Sequence, residues 1–529
     1  MEKNGTAGIF SARRVRREGK RMALRAQVAV VGGGPVGMLV AAELAGYGVD
    51  TVVLEERTEI SERPKATTLH ARAVQSLARR GYLPGDAPGT HAGATSAAFH
   101  FAGIHRLVIT VPEGEPEPVL KRPQAELERL FEERARAAGA RVLRGHRVTG
   151  IAQEPDGVRL DVEGPGGPAA CRVQYLVGAD GARSTVRERL GIASDTAPAS
   201  VSALAGLATL EDPRALEQGW LRTPRGWIVS KRTPGGETHI RTLDCAGAYE
   251  GRERQPTPRE LRDEVSRIAG RDIELTGARW ISRFSDFTRL ARTFRAGRTF
   301  LVGDAAHVHF PIGGQGLSSG VLDALNLGWK LALAVRGAAG ERLLDSYDLE
   351  RRPAARAVVD NTRAQLALMR PGEDVDALRE VFTGLLAADR DAGGLAGMIS
   401  AQGTVLPAYT ERPSPWEGRF LPNFRLPAGA GADDLVTLLR DGRPLLLLFG
   451  EDGTRHEEEA RPWAPLLRVV RTGRVPGAAH EALLVRPDGY VAWSAGGSAL
   501  EGALSAYFGG GACAPAAATA GGGRGIRLS

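Results

Sequence analysis

A six-residue turn limits what this chain can fold into more than any other feature. Gly32-Gly-Gly34-Pro35-Val-Gly37 lies between the short β-branched run Gln27–Val31 and the Ala-rich apolar stretch Val36–Ala45. The run reads as a buried parallel strand, and the stretch as a helix packed into a sheet and ended by Gly48. Thr51–Leu54 follows as a second strand. The spacing is G-x-G-x-x-G. Gly32 permits the tight turn, Gly34 lets backbone approach a pyrophosphate, and Gly37 lets the helix pack on the strand. The helix start then offers unpaired N–H groups to the phosphates. Glu55 closes the second strand 18 positions after Gly37, where a carboxylate accepts from the ribose hydroxyls of an adenosine half and repels a 2′-phosphate. The turn alone does not separate FAD from NAD.

At 529 residues the chain exceeds one ordinary core, so two to four domains are expected. Helices are predicted over Ala66–Arg80 and Gln124–Ala138, and strands near Arg141–Leu143, Val158–Val162 and Tyr175–Val177. From 199 to 285 the pattern becomes separated strands, with Trp227–Ser230 and His239–Leu243 flanking a Thr-Pro-Gly-Gly turn, which predicts an inserted antiparallel sheet. The α/β pattern returns at Arg298–Val302 and a long helix over Ser319–Val335. Pro-rich punctuation at 407–427 precedes a small α/β unit with strands Leu445–Phe449 and Ala482–Val485 and a closing helix Leu500–Tyr507. The division is therefore 24–198 with 286–400, then 199–285, then 415–508, between a basic extension (1–23) and a Gly/Ala-rich tail (509–529) expected to be disordered.

The net charge is +7, but residues 1–25 carry eight Lys or Arg against Glu2 and Glu18. That places +6 in residues 1–25 and leaves the rest near +1, with no footprint for nucleic acid. The extension has twin arginines without an apolar stretch, and no run of 18 apolar residues occurs, so neither a signal peptide nor a membrane span is expected. Cys171, Cys245 and Cys513 are far apart and form no CxxC, which argues against a disulfide scaffold or a zinc site and suits a cytoplasmic protein.

Two further segments narrow the cofactor. One is Gly178-Ala-Asp180-Gly181-Ala-Arg183-Ser184-Thr-Val-Arg187. The other is Gly303-Asp304-Ala-Ala-His307, continuing through Pro311, Gly313-Gly314-Gln-Gly316-Leu317 and Asp323-Ala-Leu-Asn326-Leu-Gly-Trp329-Lys330, with Tyr347, Glu350, Arg351 and Pro353 beyond it. With the first turn they extend over about 300 residues, and the chain resembles the FAD-dependent aromatic hydroxylases of the para-hydroxybenzoate hydroxylase type (class A flavoprotein monooxygenases). The likeness is to the branch that oxygenates aromatic polyketides. It implies an α/β fold: a Rossmann-type FAD-binding domain, an inserted antiparallel-sheet substrate domain and a C-terminal thioredoxin-like domain, here without CxxC and hence without a redox role.

The resemblance also distributes roles. Asp304 stands where a carboxylate holds ribityl hydroxyls, and Pro311, Gly314, Gly316 and Leu317 leave backbone free to meet a flat ring. A helix N-capped by Ser318 or Ser319 aims its N–H groups at the pyrimidine edge, where charge collects on reduction. Gln124, four residues before Glu128, touches the cofactor, while Asp180 ties down the Asp-Gly loop and His307 is read as structural. Two positions depart from the family. Lys65 replaces the usual Arg near the FAD phosphates and lacks its bidentate fork, and Ser318 replaces the usual Asn.

The implied reaction consumes NADH or NADPH as a transient co-substrate and O2, and passes an electrophilic oxygen from a C4a-hydroperoxyflavin to an aromatic small molecule. The protein supplies position and water exclusion, so no catalytic side chain is assigned. The substrate is expected between flavin and inserted sheet, with Trp227, His239, Arg241 and Phe284 as lining candidates; packing within the sheet accounts for each equally well. Baeyer–Villiger oxygenation of a ketone, and a flavin-bearing protein without turnover, stay open. A halogenase is disfavoured, because W-x-W-x-I-P is absent and Trp227 sits in Gly-Trp-Ile-Val. The resemblance is compatible with a monomer or a homodimer.

Overall fold

Val28–Val31 has parallel partners on both sides, Tyr175–Gly178 and Thr51–Glu55, and all four of its residues are buried. Burial on both faces is why these strands read as unbroken apolar runs. Arg141–Arg144 extends the sheet beyond Thr51–Glu55; Thr299–Leu301 and the antiparallel Arg295–Ala296 extend it beyond Tyr175–Gly178, giving six strands. Helix Pro35–Gly46 packs against helices Gln124–Ala137 and Gly316–Val335. This computed structural model describes residues 23–83, 94–249, 254–388, 393–427, 431–450, 453–473 and 480–509. The basic extension through residue 22 and the Gly/Ala tail from 510, with Cys513, lie outside the described residues. Among the described residues no helix is long and apolar enough to cross a membrane.

Residues 202–285 include a five-stranded antiparallel sheet in the order Gly219–Thr223, Gly226–Arg232, Thr238–Asp244, Ser202–Leu210, Leu275–Ser285. Helix Pro258–Ala269 starts with a capping box between Thr257 and Glu260 and buries Leu261, Val265 and Ile268 against one face, at Leu204, Ile228 and Ile240. The other face meets a hairpin, Ser96–Phe101 with Ile104–Thr110, that the sequence reading missed. Its tight turn places Ala102 and Gly103 at φ 52° and 75°, and an alanine there hides the usual Asn-Gly signal.

The helix expected over Ala66–Arg80 is corrected. Thr68–His70 is a strand paired antiparallel with Val119–Lys121, and the helix spans Ala71–Arg79. Pairing with a distant segment overrides the local helical pattern there.

Near the C-terminus, Leu445–Phe449 pairs parallel with Arg468–Thr472 and antiparallel with Ala482–Val485, which pairs antiparallel with Val491–Ser494. This unit is fastened to the large sheet's domain by buried charges. Arg486 donates twice to Glu350, at 2.8 Å each, and also to Asp488 at 2.6 Å. Lys330 Nζ lies 2.8 Å from Glu350, and the Asn326 amide donates to the same carboxylate at 2.7 Å. Burial works against the Glu350 anion, yet Arg486 and Lys330 hold its carboxyl well below the usual range; burial pulls Lys330 down to about 8. Removing one partner strands a buried charge. Arg486→Ala is therefore expected to cost about 3–5 kcal/mol, read from the urea unfolding midpoint; an unchanged midpoint contradicts this account.

Candidate cofactor and substrate site

Three loops meet at the C-terminal ends of the central strands. Gly32 has φ 104°, and a Cβ there falls 2.3 Å from the Ala179 carbonyl oxygen; at Gly37 it falls 2.1 Å from the Gly32 carbonyl oxygen. Only glycine fits either position. A Cβ on Gly34 meets nothing within 4 Å, so this side of the turn borders open space. Helix Pro35–Gly46 has no side-chain cap and leaves its first N–H groups for an anion. Glu55 accepts from the Gly33 N–H at 2.5 Å and the Arg57 N–H at 2.9 Å, which aims its carboxylate at the turn.

The second loop is held by its own helix start. Ser184 caps helix Thr185–Arg189 by accepting from the Arg187 N–H at 3.0 Å. Asp180 accepts from the Val186 N–H at 3.0 Å, while its other carboxylate oxygen is buried without a partner. Burial pushes the Asp180 carboxyl up. Arg187 donates to the Ala305 carbonyl at 2.9 Å and so ties the second loop to the third.

The third loop turns at Gly303–Ala305. Asp304 is open to solvent at the bottom of a cleft; the surrounding protein raises its pKa, against His307 and Lys65. Asp323 is fully buried and accepts from the Gly303 N–H at 3.0 Å, His307 Nε2 at 2.8 Å and Arg351 Nε at 2.8 Å. Burial opposes its charge, but Arg351 and His307 keep the carboxyl below its ordinary value. Lys65 is lowered by partial burial and by Arg57, and Glu128, Asp304 and Glu55 are close enough to oppose that. Gln124 opens its helix with its N–H on the Ala66 carbonyl at 3.0 Å. The structure thus gathers Glu55, Lys65, Glu128 and Asp304 from four separate segments.

The N-cap expectation at Ser318 or Ser319 is corrected. Gly313 and Gly314 have φ 71° and 65° and carry the chain straight into a helix from Gly316, with Gln315 at the N-cap position. Both serines lie inside that helix, and Ser318 Oγ instead accepts from the His70 N–H at 3.0 Å. The His70 ring bonds the Gly313 carbonyl at 2.7 Å and fixes the strained turn from behind. No side chain caps this helix end either. Pro311 is exposed beside the buried Leu317.

Strand register puts Trp227, His239, Arg241 and Phe284 on one face of the five-stranded sheet, opposite the face covered by helix Pro258–Ala269. Phe284 packs on Phe310, centroids 5.8 Å apart, immediately before Pro311. For Trp227 the structure favours the packing alternative: it is buried, it donates to the Met369 carbonyl at 2.6 Å, and it stands edge-on to Trp220. His239 tilts against Trp280, and Arg241 is exposed. Sequence reasoning missed Lys121, Lys231, His70 and His309 at this cleft. Lys121 stands three residues before Gln124, and strand alternation with Arg241's neighbour was the signal for Lys231.

The residues present fit a dinucleotide with a flat ring: glycine-only contacts at Gly32 and Gly37, open space at Gly34, an orphaned Asp180 oxygen, an accessible Asp304 and two uncapped helix ends. Fold and site together define a flavoprotein with a two-helix cradle beside an antiparallel sheet. The chain belongs to the FAD-dependent aromatic hydroxylases: residues 25–362 match the FAD binding domain family and residues 414–511 the aromatic-ring hydroxylase C-terminal family. It is 36% identical over 507 residues to the 12-dehydrotetracycline 5-monooxygenase/anhydrotetracycline 6-monooxygenase of Streptomyces rimosus, covering 92% of this chain and 99% of that protein. CabE, an aromatic hydroxylase from angucycline biosynthesis, superimposes with a TM-score of 0.83 at 34% identity, over 92% of this chain and 99% of that one. The dialkyldecalin synthase of Streptomyces rugosporus is 36% identical over 495 residues, 91% of this chain and 98% of that protein.

Two outcomes follow from this geometry. Gly37→Ala forces a Cβ against backbone, and a displacement costing about 1–3 kcal/mol weakens FAD about tenfold or more; folded protein should purify with little yellow colour, and full flavin content would contradict it. Burial lowers His70, His100 and His309 to about 4 each. An unfolded histidine titrates near about 6.5, so between these values the unfolded chain binds protons that the folded chain refuses. Stability should fall as pH drops from about 6.5 towards 4, seen as a falling urea midpoint; a flat profile contradicts it.

Proposed function

We propose that this chain hydroxylates an aromatic polyketide or another polycyclic phenol, using NADH or NADPH and O2. The observation that carries this reading is the continuity from Pro311 through Phe310 to Phe284, which joins the cofactor cradle to the sheet face that carries Arg241 and His239. The tetracycline- and angucycline-modifying relatives support the substrate class. Bound FAD supplies the redox chemistry, taking a hydride and activating O2.

The chain's own residues bind, orient and exclude water. Gly32, Gly34, Pro35 and Gly37 cradle the pyrophosphate, Glu55 meets the adenosine ribose, and Lys65 answers phosphate charge. Asp304 holds the ribityl chain, with Gln124 and Asp180 bordering it. Pro311, Gly314, Gly316, Leu317 and Ser318 present backbone and a helix end to the ring, and that end favours the negative charge of the reduced state. Phe284, Arg241 and His239 line the substrate side. The strand order of the C-terminal unit, one parallel pair followed by two antiparallel steps, supports a thioredoxin-like domain. Its work is bracing through Glu350 and Arg486.

A second reading has one observation behind it: a relative equally similar in sequence is named a dialkyldecalin synthase rather than a monooxygenase. The test is to incubate the yellow protein with NADPH, O2 and a panel of polycyclic phenols. Substrate-stimulated NADPH oxidation, matching O2 uptake and a product heavier by one oxygen atom are expected. A new phenol supports hydroxylation and a ring-expanded ester supports Baeyer–Villiger chemistry. Unstimulated oxidation across the panel supports the synthase-like reading.

A further inference from the structure

The inner face of the five-stranded sheet changes character along its strands. Phe284 lies opposite Ala203, at the end nearest Phe310. Two residues further, Arg241 lies level with Ala205 and Ser282; two further still, His239 lies level with Leu207 and Trp280 and opposite Lys231. At strand rise these levels are about 7 and about 13 Å from Phe284, within the length of a flat polycyclic molecule. Lys121 approaches from the opposite wall, its ammonium donating to Thr68 Oγ1 at 2.7 Å, and Thr68 packs where a Cβ on Gly314 would sit, 3.3 Å away.

These cations lack counter-charges. Among the described residues neither Arg241 nor Lys231 has an ion pair or a side-chain hydrogen bond, and the nearby Glu237 is already engaged by Arg279. Burial lowers the pKa of Lys121, and Lys231 and Arg241 lower it further, so Lys121 stands within reach of two like charges across the cleft. An arrangement that destabilises the empty protein is explained by a ligand that removes the repulsion.

We propose that Arg241, Lys231 and Lys121 form an anion-holding subsite at the outer end of the substrate cleft, so that the substrate is a polycyclic aromatic with an acidic group remote from the carbon that is oxygenated. The inference rests on reading the cleft as the substrate site. The group is a carboxylate or an ionised phenol or enol. Its charge fixes which end of the molecule enters first and hence which ring reaches the cofactor.

The test uses the FAD-loaded full chain and two probes, anthraquinone-2-carboxylate and its uncharged carboxamide, with binding followed by perturbation of the flavin absorbance. The unaltered protein should prefer the carboxylate about tenfold or more. Arg241→Gln and Lys231→Gln should erase most of that preference by weakening the carboxylate far more than the carboxamide, with flavin content and thermal midpoint unchanged or raised. Arg241→Lys should keep most of it. Equal binding of the two probes by the unaltered protein, or binding of neither, overturns the assignment. So does a rise in the KM for NADPH in Arg241→Gln with the aromatic preference intact, which would assign the cations to nucleotide phosphates. Binding is read without turnover, so a failure of hydroxylation and a failure of this subsite are separate results.

Discussion

A carboxylate with no exposure, Asp323, sets the geometry on which the flavin side depends. One of its oxygens gathers the Gly303 N–H and the His307 ring; the other takes Arg351. Leaving such a charge in the interior without partners costs several kcal/mol, so the turn carrying Asp304 stays where Asp323 puts it. Arg351 adjoins Glu350 on one long helix, Glu341–Met369, and Glu350 faces the C-terminal unit through Arg486. Adjacent residues of opposite charge thus hold the cofactor turn on one side and a separate sheet on the other. Asp323, Asn326, Lys330, Glu350 and Arg351 thus act together as bracing behind the cofactor turn.

Much of this was legible where local chemistry decides the backbone. The Gly32–Gly37 turn, its flanking strands and Glu55 lie close in sequence, and Gly32 and Gly37 are each demanded by a contact a Cβ would destroy. That His239 and Arg241 share one sheet face follows from alternation, while Phe284 joins them only through the pairing of both strands with Ser202–Leu210. What escaped was decided by distant partners. Thr68–His70 looks helical until Val119–Lys121 is beside it. Ser318 looks like a cap until two glycines of positive φ start the helix early and His70 claims its hydroxyl. Trp227 reads equally as lining or as packing until its indole N–H finds the Met369 carbonyl. Each case joins segments more than 40 residues apart, a range at which spacing carries no signal.

The two walls of the cleft carry different charge patterns, and the wall facing the sheet mixes both signs, with Lys65 near Glu55 and Asp304 and Lys121 facing Arg241. Glu55, Asp180 and Asp304 stand on the cradle side, where ribose and ribityl hydroxyls are matched by acceptors while two helix ends supply positive potential for the phosphates and the reduced ring. Cations alone stand on the outer sheet. A low-dielectric cleft strengthens both fields, and a carboxyl raised by burial, as at Asp180 and Asp304, is costly until a hydrogen-bonding partner arrives. The cofactor is that partner on one wall.

Between those walls the sheet offers little besides shape. Ala203 is buried opposite Phe284, and Ala205, one level further along the strand, puts a small side chain next to Arg241, which leaves room for a flat ring beside them. Apolar contact of this kind discriminates weakly between neighbouring substrates, by about 1–3 kcal/mol per group. A flat molecule could also slide or turn over there. Orientation must then come from a directional group at one end, and on this face the strongest such groups are the cations Arg241 and Lys231, beyond the hydroxyl of Ser282.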